Sequence, residues 1–106
     1  MDGIIDILGM KYKIKEVPVI DRDQYKFGEI RFVEQEILID QALSEEKKTS
    51  TLLHEILHGI CVETGLNDLN EDEHTIQLLA SSLYCVLGKT ISLSSLVQPA
   101  IEQSRL

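Results

Sequence analysis

The chain changes its hydrophobic period once, near Ser44, and that change limits its fold more than any other feature. Before it, apolar residues tend to alternate with polar ones; after it, they recur at helical spacing. A period of two puts side chains on the two faces of a strand, and a period near 3.6 lines them along one side of a helix. Strands followed by helices predict an α+β domain, a small antiparallel or mixed sheet packed on helices. The 106 residues suit one domain spanning 1–106.

Ile4 to Leu8 and Tyr12 to Val17 read as strands, with Gly9 marking the turn between them. Pro18 ends the second strand or sets it on an edge. Asp21-Arg22-Asp23-Gln24 is polar and reads as a loop. Gly28 to Asp40 predicts a hairpin. Ile30 and Phe32 alternate on the way out, Ile37 and Ile39 on the return, and Glu34-Gln35 lies at the tip.

The first helix opens at Ser44, an N-cap residue, with Glu45 and Glu46 in the first turn where the helix dipole favours negative charge. Leu52, Leu53, Ile56, Leu57 and Ile60 form its apolar stripe, and Gly65 supplies the C-cap. A second helix is expected from near Asn70 to about Leu87, burying Ile76, Leu79, Ala80, Leu83 and Leu87, with Gly88 at its end. A third, shorter one is expected over Ser92 to Gln103, kinked or divided at Pro99. Its Leu93, Leu96, Val97 and Ile101 are expected to cover the core, with docking to a partner the other reading.

The net charge of −8 and the lack of any basic cluster beyond Lys47-Lys48 argue against direct nucleic-acid binding. The N-terminus lacks a basic and then apolar leader, and no apolar run is long enough for a membrane span, so a cytoplasmic protein without membrane association is expected. Cys61 and Cys85 both lie in apolar runs and read as two buried thiols, with a disulfide or metal role the alternatives.

His54-Glu55-Ile56-Leu57-His58 is an HExxH motif inside the first helix. Histidines four apart project from the same side of a helix, so both imidazoles can reach one metal ion, for which Zn2+ is the expected identity. Glu55 lies about 100° around the helix from His54. That position suits a general base acting on a water at the metal rather than a ligand. The competing readings are two histidines satisfied by backbone groups and a closed structural zinc site that recruits Cys61.

A catalytic zinc needs a third protein ligand and an open position. Glu73 is the first candidate, since it flanks the buried face of the second helix; Asp72, Glu71 and His74 are the others. Asn70-x-x-Glu73 also fits a capping box, in which Glu73 would bond back to the Asn70 N–H.

Strands, then an HExxH helix, then a helix opening on Glu resembles the zincin metallopeptidases. The closer resemblance is to the small ImmA/IrrE-type proteins of phages, mobile elements and bacterial genomes, and it covers roughly Gly28 to Leu87. Their second helix typically reads E-x-x-A-x-x-F-A, with the first Glu as third zinc ligand. Glu73-His74-Thr75-Ile76-Gln77-Leu78-Leu79-Ala80 follows this with Ile76 for Ala and Leu79 for Phe. The spacer from His58 to Glu73 is shorter than usual, implying a smaller cleft, and Tyr84-Cys85-Val86-Leu87 replaces the usual Leu-Leu-Met-Pro ending.

The resemblance implies a zincin-like minimal domain that hydrolyses a peptide bond in a protein or peptide, often a cognate helix-turn-helix repressor. The strand near Glu36 to Asp40 would then offer an edge to an extended substrate. The alternative is a metal-stabilised protein-binding module with weak or no catalysis.

Overall fold

The computed structural model describes residues 2–18, 20, 26–87 and 97. β1 (Gly3–Ile7) and β2 (Met10–Val17) form a hairpin whose turn residues, Leu8 and Gly9, have φ of 51° and 91°. Two successive positive φ values are the mark of a type I′ turn, whose twist matches that of the strands it joins. Asp6 Oδ1 accepts the Gly9 N–H at 2.6 Å and pins the turn.

β3 (Gly28–Arg31) and β4 (Glu36–Asp40) form the second hairpin, with Glu34-Gln35 inside its turn as expected. Gln35, at φ 54°, ties this turn to β2. Its carbonyl accepts the Lys13 N–H at 2.9 Å, and its side-chain amide donates to the Lys11 carbonyl at 2.9 Å.

β2 and β4 pair in parallel, so the sheet is mixed, in the order β1-β2-β4-β3. β4 is thereby an inner strand, paired on both sides. The expectation that Glu36 to Asp40 offers a free edge is wrong, because β2 occupies it. The edge on that side of the sheet is β3.

The inner face of the sheet presents Ile7, Tyr12, Ile14, Ile37 and Ile39, which meet Leu52 of α1 (Glu45–Thr64) in the hydrophobic core. The α1 boundaries follow the sequence signals. Ser44 Oγ accepts the Lys47 N–H at 3.2 Å, and Gly65 ends the helix in the left-handed conformation at φ 76°. Leu52 and Leu53 are buried, while Ile56 and Ile60 are half-buried against the core. Gly59 lets the helix settle close to the sheet. A Cβ there would lie 2.8 Å from Ile7 Cδ1 and 3.2 Å from Ile30 Cδ1, which come from opposite edge strands.

The expected second helix is two helices, α2 (Asn67–Glu71) and α3 (Glu73–Leu87). Asp72 makes the break. Its carboxylate accepts the Thr75 N–H at 3.0 Å and the Thr75 hydroxyl at 2.7 Å, and its carbonyl accepts the Ile76 N–H at 3.0 Å. A short acidic side chain that bonds forward in this way starts a helix better than it continues one. α2 buries none of its residues, so it carries no apolar stripe by which it could be foreseen.

On α3, Ile76 and Ala80 are buried, but Leu79 and Leu87 are 41% and 37% exposed rather than part of the core. Cys61 is buried and Cys85 is exposed, both as free thiols. Cys85 lies nine residues, about two and a half turns, beyond Ile76, so it points away from the core. The polar loop Asp21 to Gln24 and the third helix, apart from Val97, fall outside the described residues. Val97 is buried within the core cluster. No helix among the described residues is long and apolar enough to cross a membrane.

Candidate metal centre

One turn of α1 separates His54 from His58, and the two rings meet edge to face with centroids 4.9 Å apart. The first residue of α3 completes the group. Glu73 Oε2 lies 3.1 Å from His54 Nε2, and its Oε1 lies 2.8 Å from His58 Nε2. One ligand atom from each residue falls within 4.8 Å of the others, and no other such group of His, Cys, Asp or Glu occurs among the described residues. Asp72 is occupied as the α3 cap, and Glu71, His74 and Cys61 lie outside the group.

The far nitrogen of each imidazole is held by an amide oxygen. His54 Nδ1 lies 2.8 Å from Gln77 Oε1, and His58 Nδ1 lies 2.8 Å from Asn70 Oδ1. The Gln77 amide nitrogen donates to Ser81 Oγ at 3.2 Å, which turns its oxygen toward His54. An amide oxygen only accepts, so each Nδ1 is the donor in its bond, and in a neutral ring the Nε2 then presents a lone pair. Two lone pairs and a carboxylate then converge on one point. Such an arrangement is repulsive unless a proton or a metal cation sits among them. Two imidazole nitrogens and one carboxylate oxygen form the donor set of an open zinc site, so these residues fit the ion that the motif implies.

Asn70 and Gln77 are the functional candidates that the sequence reading missed. Gln77 lies four residues after Glu73, so both face the same side of α3. The competing capping box does not form, because Asp72 caps the helix and Asn70 turns to His58 instead.

Glu55 is 8% exposed. Burial pushes its carboxyl above the ordinary carboxylate range, the two imidazoles oppose that rise, and the nearby Glu73 charge adds to it. Gly28 makes room for it. A Cβ at Gly28 would lie 3.2 Å from Glu55 Oε2 and 2.5 Å from Thr51 Cγ2. A glycine inside a strand is itself a signal of close approach.

These residues line a cleft of about 790 Å³, with α1 as its floor, β3 as one wall and residues of α2 and α3 as the other. Among the described residues, no strand pairs with the outer edge of β3. The Asp40 N–H donates to the Phe27 carbonyl at 2.9 Å, so Phe27 and Asp40 form a hydrogen-bonded pair. Alternation along an antiparallel ladder then turns the N–H and C=O of Gly28 and Ile30 away from β4, toward the open edge.

No family model matches the chain, and neither a curated protein nor a solved structure does.

Proposed function

We propose that the protein is a zinc-dependent metallopeptidase in which His54, His58 and Glu73 hold the metal and Glu55 is the general base. The observation that carries this is the convergence of both Nε2 atoms on the Glu73 carboxylate, with each Nδ1 fixed by an amide oxygen. A bound zinc ion supplies Lewis acidity, which polarises a carbonyl and acidifies water.

Glu55 takes a proton from the attacking water and passes it to the departing amine. Its raised proton affinity suits the second half of that task, since a base that holds a proton more firmly shuttles it better near neutral pH. The outward N–H and C=O groups of Gly28 and Ile30 hold an extended segment of the substrate protein as an added strand. A cognate regulator is the substrate that the ImmA/IrrE resemblance favours.

Metal-loaded Glu55→Gln should bind zinc normally and lose about 100-fold or more in turnover, the scale of a general base. Unchanged cleavage by this variant would overturn the mechanism.

One observation favours a second reading, a metal-stabilised binding module. The ligands and their amide partners come from all three helices, so a metal would clamp α1, α2 and α3 whatever its chemistry. Capture of a protein by wild type and Glu55→Gln alike, with no cleavage product from either, would favour that module.

A further inference from the structure

The cleft carries two lysines at one end, with Glu29 beside one of them, although the chain as a whole is acidic. Lys26 and Lys47 line it there, beside Phe27. Lys47 Nζ sits 5.6 Å from the centre of the Phe27 ring, a cation–π contact that holds the ammonium against the strand. Lys26 is paired with Glu29 at 2.7 Å, whereas Lys47 forms no ion pair among the described residues.

Position along the cleft follows from the two elements that frame it. Lys47, Thr51, His54 and His58 lie at helical spacing on the cleft side of α1. Lys47 is seven residues before His54, about 10 Å along the helix axis. Gly28 packs by Thr51 and Glu55, and Ile30 by Gly59, so β3 and α1 run in the same direction. A peptide that adds to β3 in the more stable, antiparallel sense therefore runs from the metal group toward Lys47 as it approaches its own C-terminus. At about 3.3 Å per extended residue, Lys47 lies roughly three residues beyond the metal.

We propose that this cleft selects protein segments with an Asp or Glu side chain two to four residues C-terminal to the bond held at the metal group, and that Lys47, seated on Phe27, is the residue that reads it. The position of the acidic residue rests on the metallopeptidase reading, whereas the preference for an acidic strand rests on the cleft alone.

The test uses the full chain loaded with zinc and a library of short, neutral, end-capped peptides in which one position at a time is Asp, Lys or Ala. Cleavage products are mapped by mass spectrometry. In parallel, binding of the same peptides to zinc-loaded Glu55→Gln is measured by fluorescence anisotropy. Asp at the stated positions should raise cleavage efficiency and affinity roughly two- to fivefold over Ala, the effect of one exposed ion pair. The gain should fade with added salt, and Lys47→Glu should turn it into a preference for Lys.

Cleavage without an acidic preference, or with one N-terminal to the bond, overturns the selectivity. A preference that Lys47→Glu leaves intact overturns the role of Lys47. An acidic preference in binding with no cleavage by wild type keeps the docking and overturns the peptidase. Absence of both binding and cleavage overturns both. In a parallel arm of uncapped peptides, a gain seen only with the free C-terminal carboxylate would overturn the reading of an acidic side chain.

Discussion

At the scale of single residues, Asn70 and Asp72 exchange the tasks that spacing alone suggests for them. The sequence offers Asn70 as a cap and Asp72 as a spare ligand; in the structure Asp72 caps α3 and Asn70 holds His58. Asn70→Ala and Gln77→Ala should each weaken zinc binding about 10- to 100-fold, the usual cost of losing the partner that orients a metal-binding histidine. Asp72→Asn should leave zinc affinity unchanged and cost little stability, since Asn still accepts the Thr75 N–H although its amide nitrogen cannot accept the Thr75 hydroxyl, whereas Asp72→Ala should lower the unfolding midpoint of the apo protein further. Zinc competition with a chromophoric chelator and urea unfolding read the two effects separately. Full zinc affinity in Asn70→Ala would remove it from the site. Gly28 allows a sharper test. Gly28→Ala places a methyl against Thr51 Cγ2 and should cost about 1–3 kcal/mol, the range for an overfilled core. Thr51→Ser removes that carbon, so the double variant should recover much of the loss in a double-mutant cycle. Additive losses would mean that Gly28 and Thr51 do not meet.

At the scale of elements, α1 is fixed to the sheet by packing, by the Tyr12 hydroxyl donating to Glu63 at 3.2 Å, and by an ion pair. Lys48 Nζ lies 2.7 Å from Glu16 Oε1 on β2, and both side chains are largely covered. The Lys48 ammonium holds the Glu16 carboxyl below its ordinary value. A carboxyl depressed in the folded state stabilises that state fully above the unfolded pKa of about 4.3, and the contribution disappears as pH falls through the lower folded value. Lys48→Met should therefore lower the melting temperature at pH 7, and its deficit should shrink as the pH drops below about 4. A deficit independent of pH would mean that Lys48 acts through its aliphatic stem alone. The elements also show what could be read in advance. Both hairpins and both ends of α1 were legible, because Gly9, Ser44 and Gly65 each impose a local conformation. The parallel pairing of β2 with β4 was not, since no local residue pattern distinguishes it from an antiparallel meander. The α2–α3 break was hidden too, because Asp72 acts through hydrogen bonds rather than hydrophobic period. In the site, His54, Glu55 and His58 could be grouped from spacing, and Glu73 ranked first among four neighbours. Asn70 and Gln77 could be assigned only once α2 and α3 were placed against α1.

At the scale of the whole molecule, the candidate metal group lies outside the hydrophobic cluster of the sheet and α1, and it ties α2 to α1. The core is built from the sheet and α1, through Tyr12, Ile14, Ile37, Ile39 and Leu52. α3 adds Ile76 and Ala80, but α2 has no fully buried residue, and its Asn70 holds His58 of α1 at 2.8 Å. Zinc that binds only the folded chain stabilises it by mass action, about 2.7 kcal/mol at a free concentration 100 times the dissociation constant. Protons compete for the same Nε2 atoms, so this gain should fade on acidification. The effect should also be uneven. Regions held by few buried contacts open first, and α2 with the first turn of α3 is such a region. Chelation should therefore lower the melting temperature and speed hydrogen exchange across Asn67–Glu71 and the start of α3, while amides of β2 and β4 keep their protection. Hydrogen exchange followed by mass spectrometry, with and without EDTA on protein first shown to contain zinc, measures this directly. Equal protection of α2 in both samples would mean that the ion does not hold the helices together. Loss spread evenly over sheet and helices would mean that the core itself depends on the metal, contrary to a core whose largest buried side chains come mostly from β2 and β4.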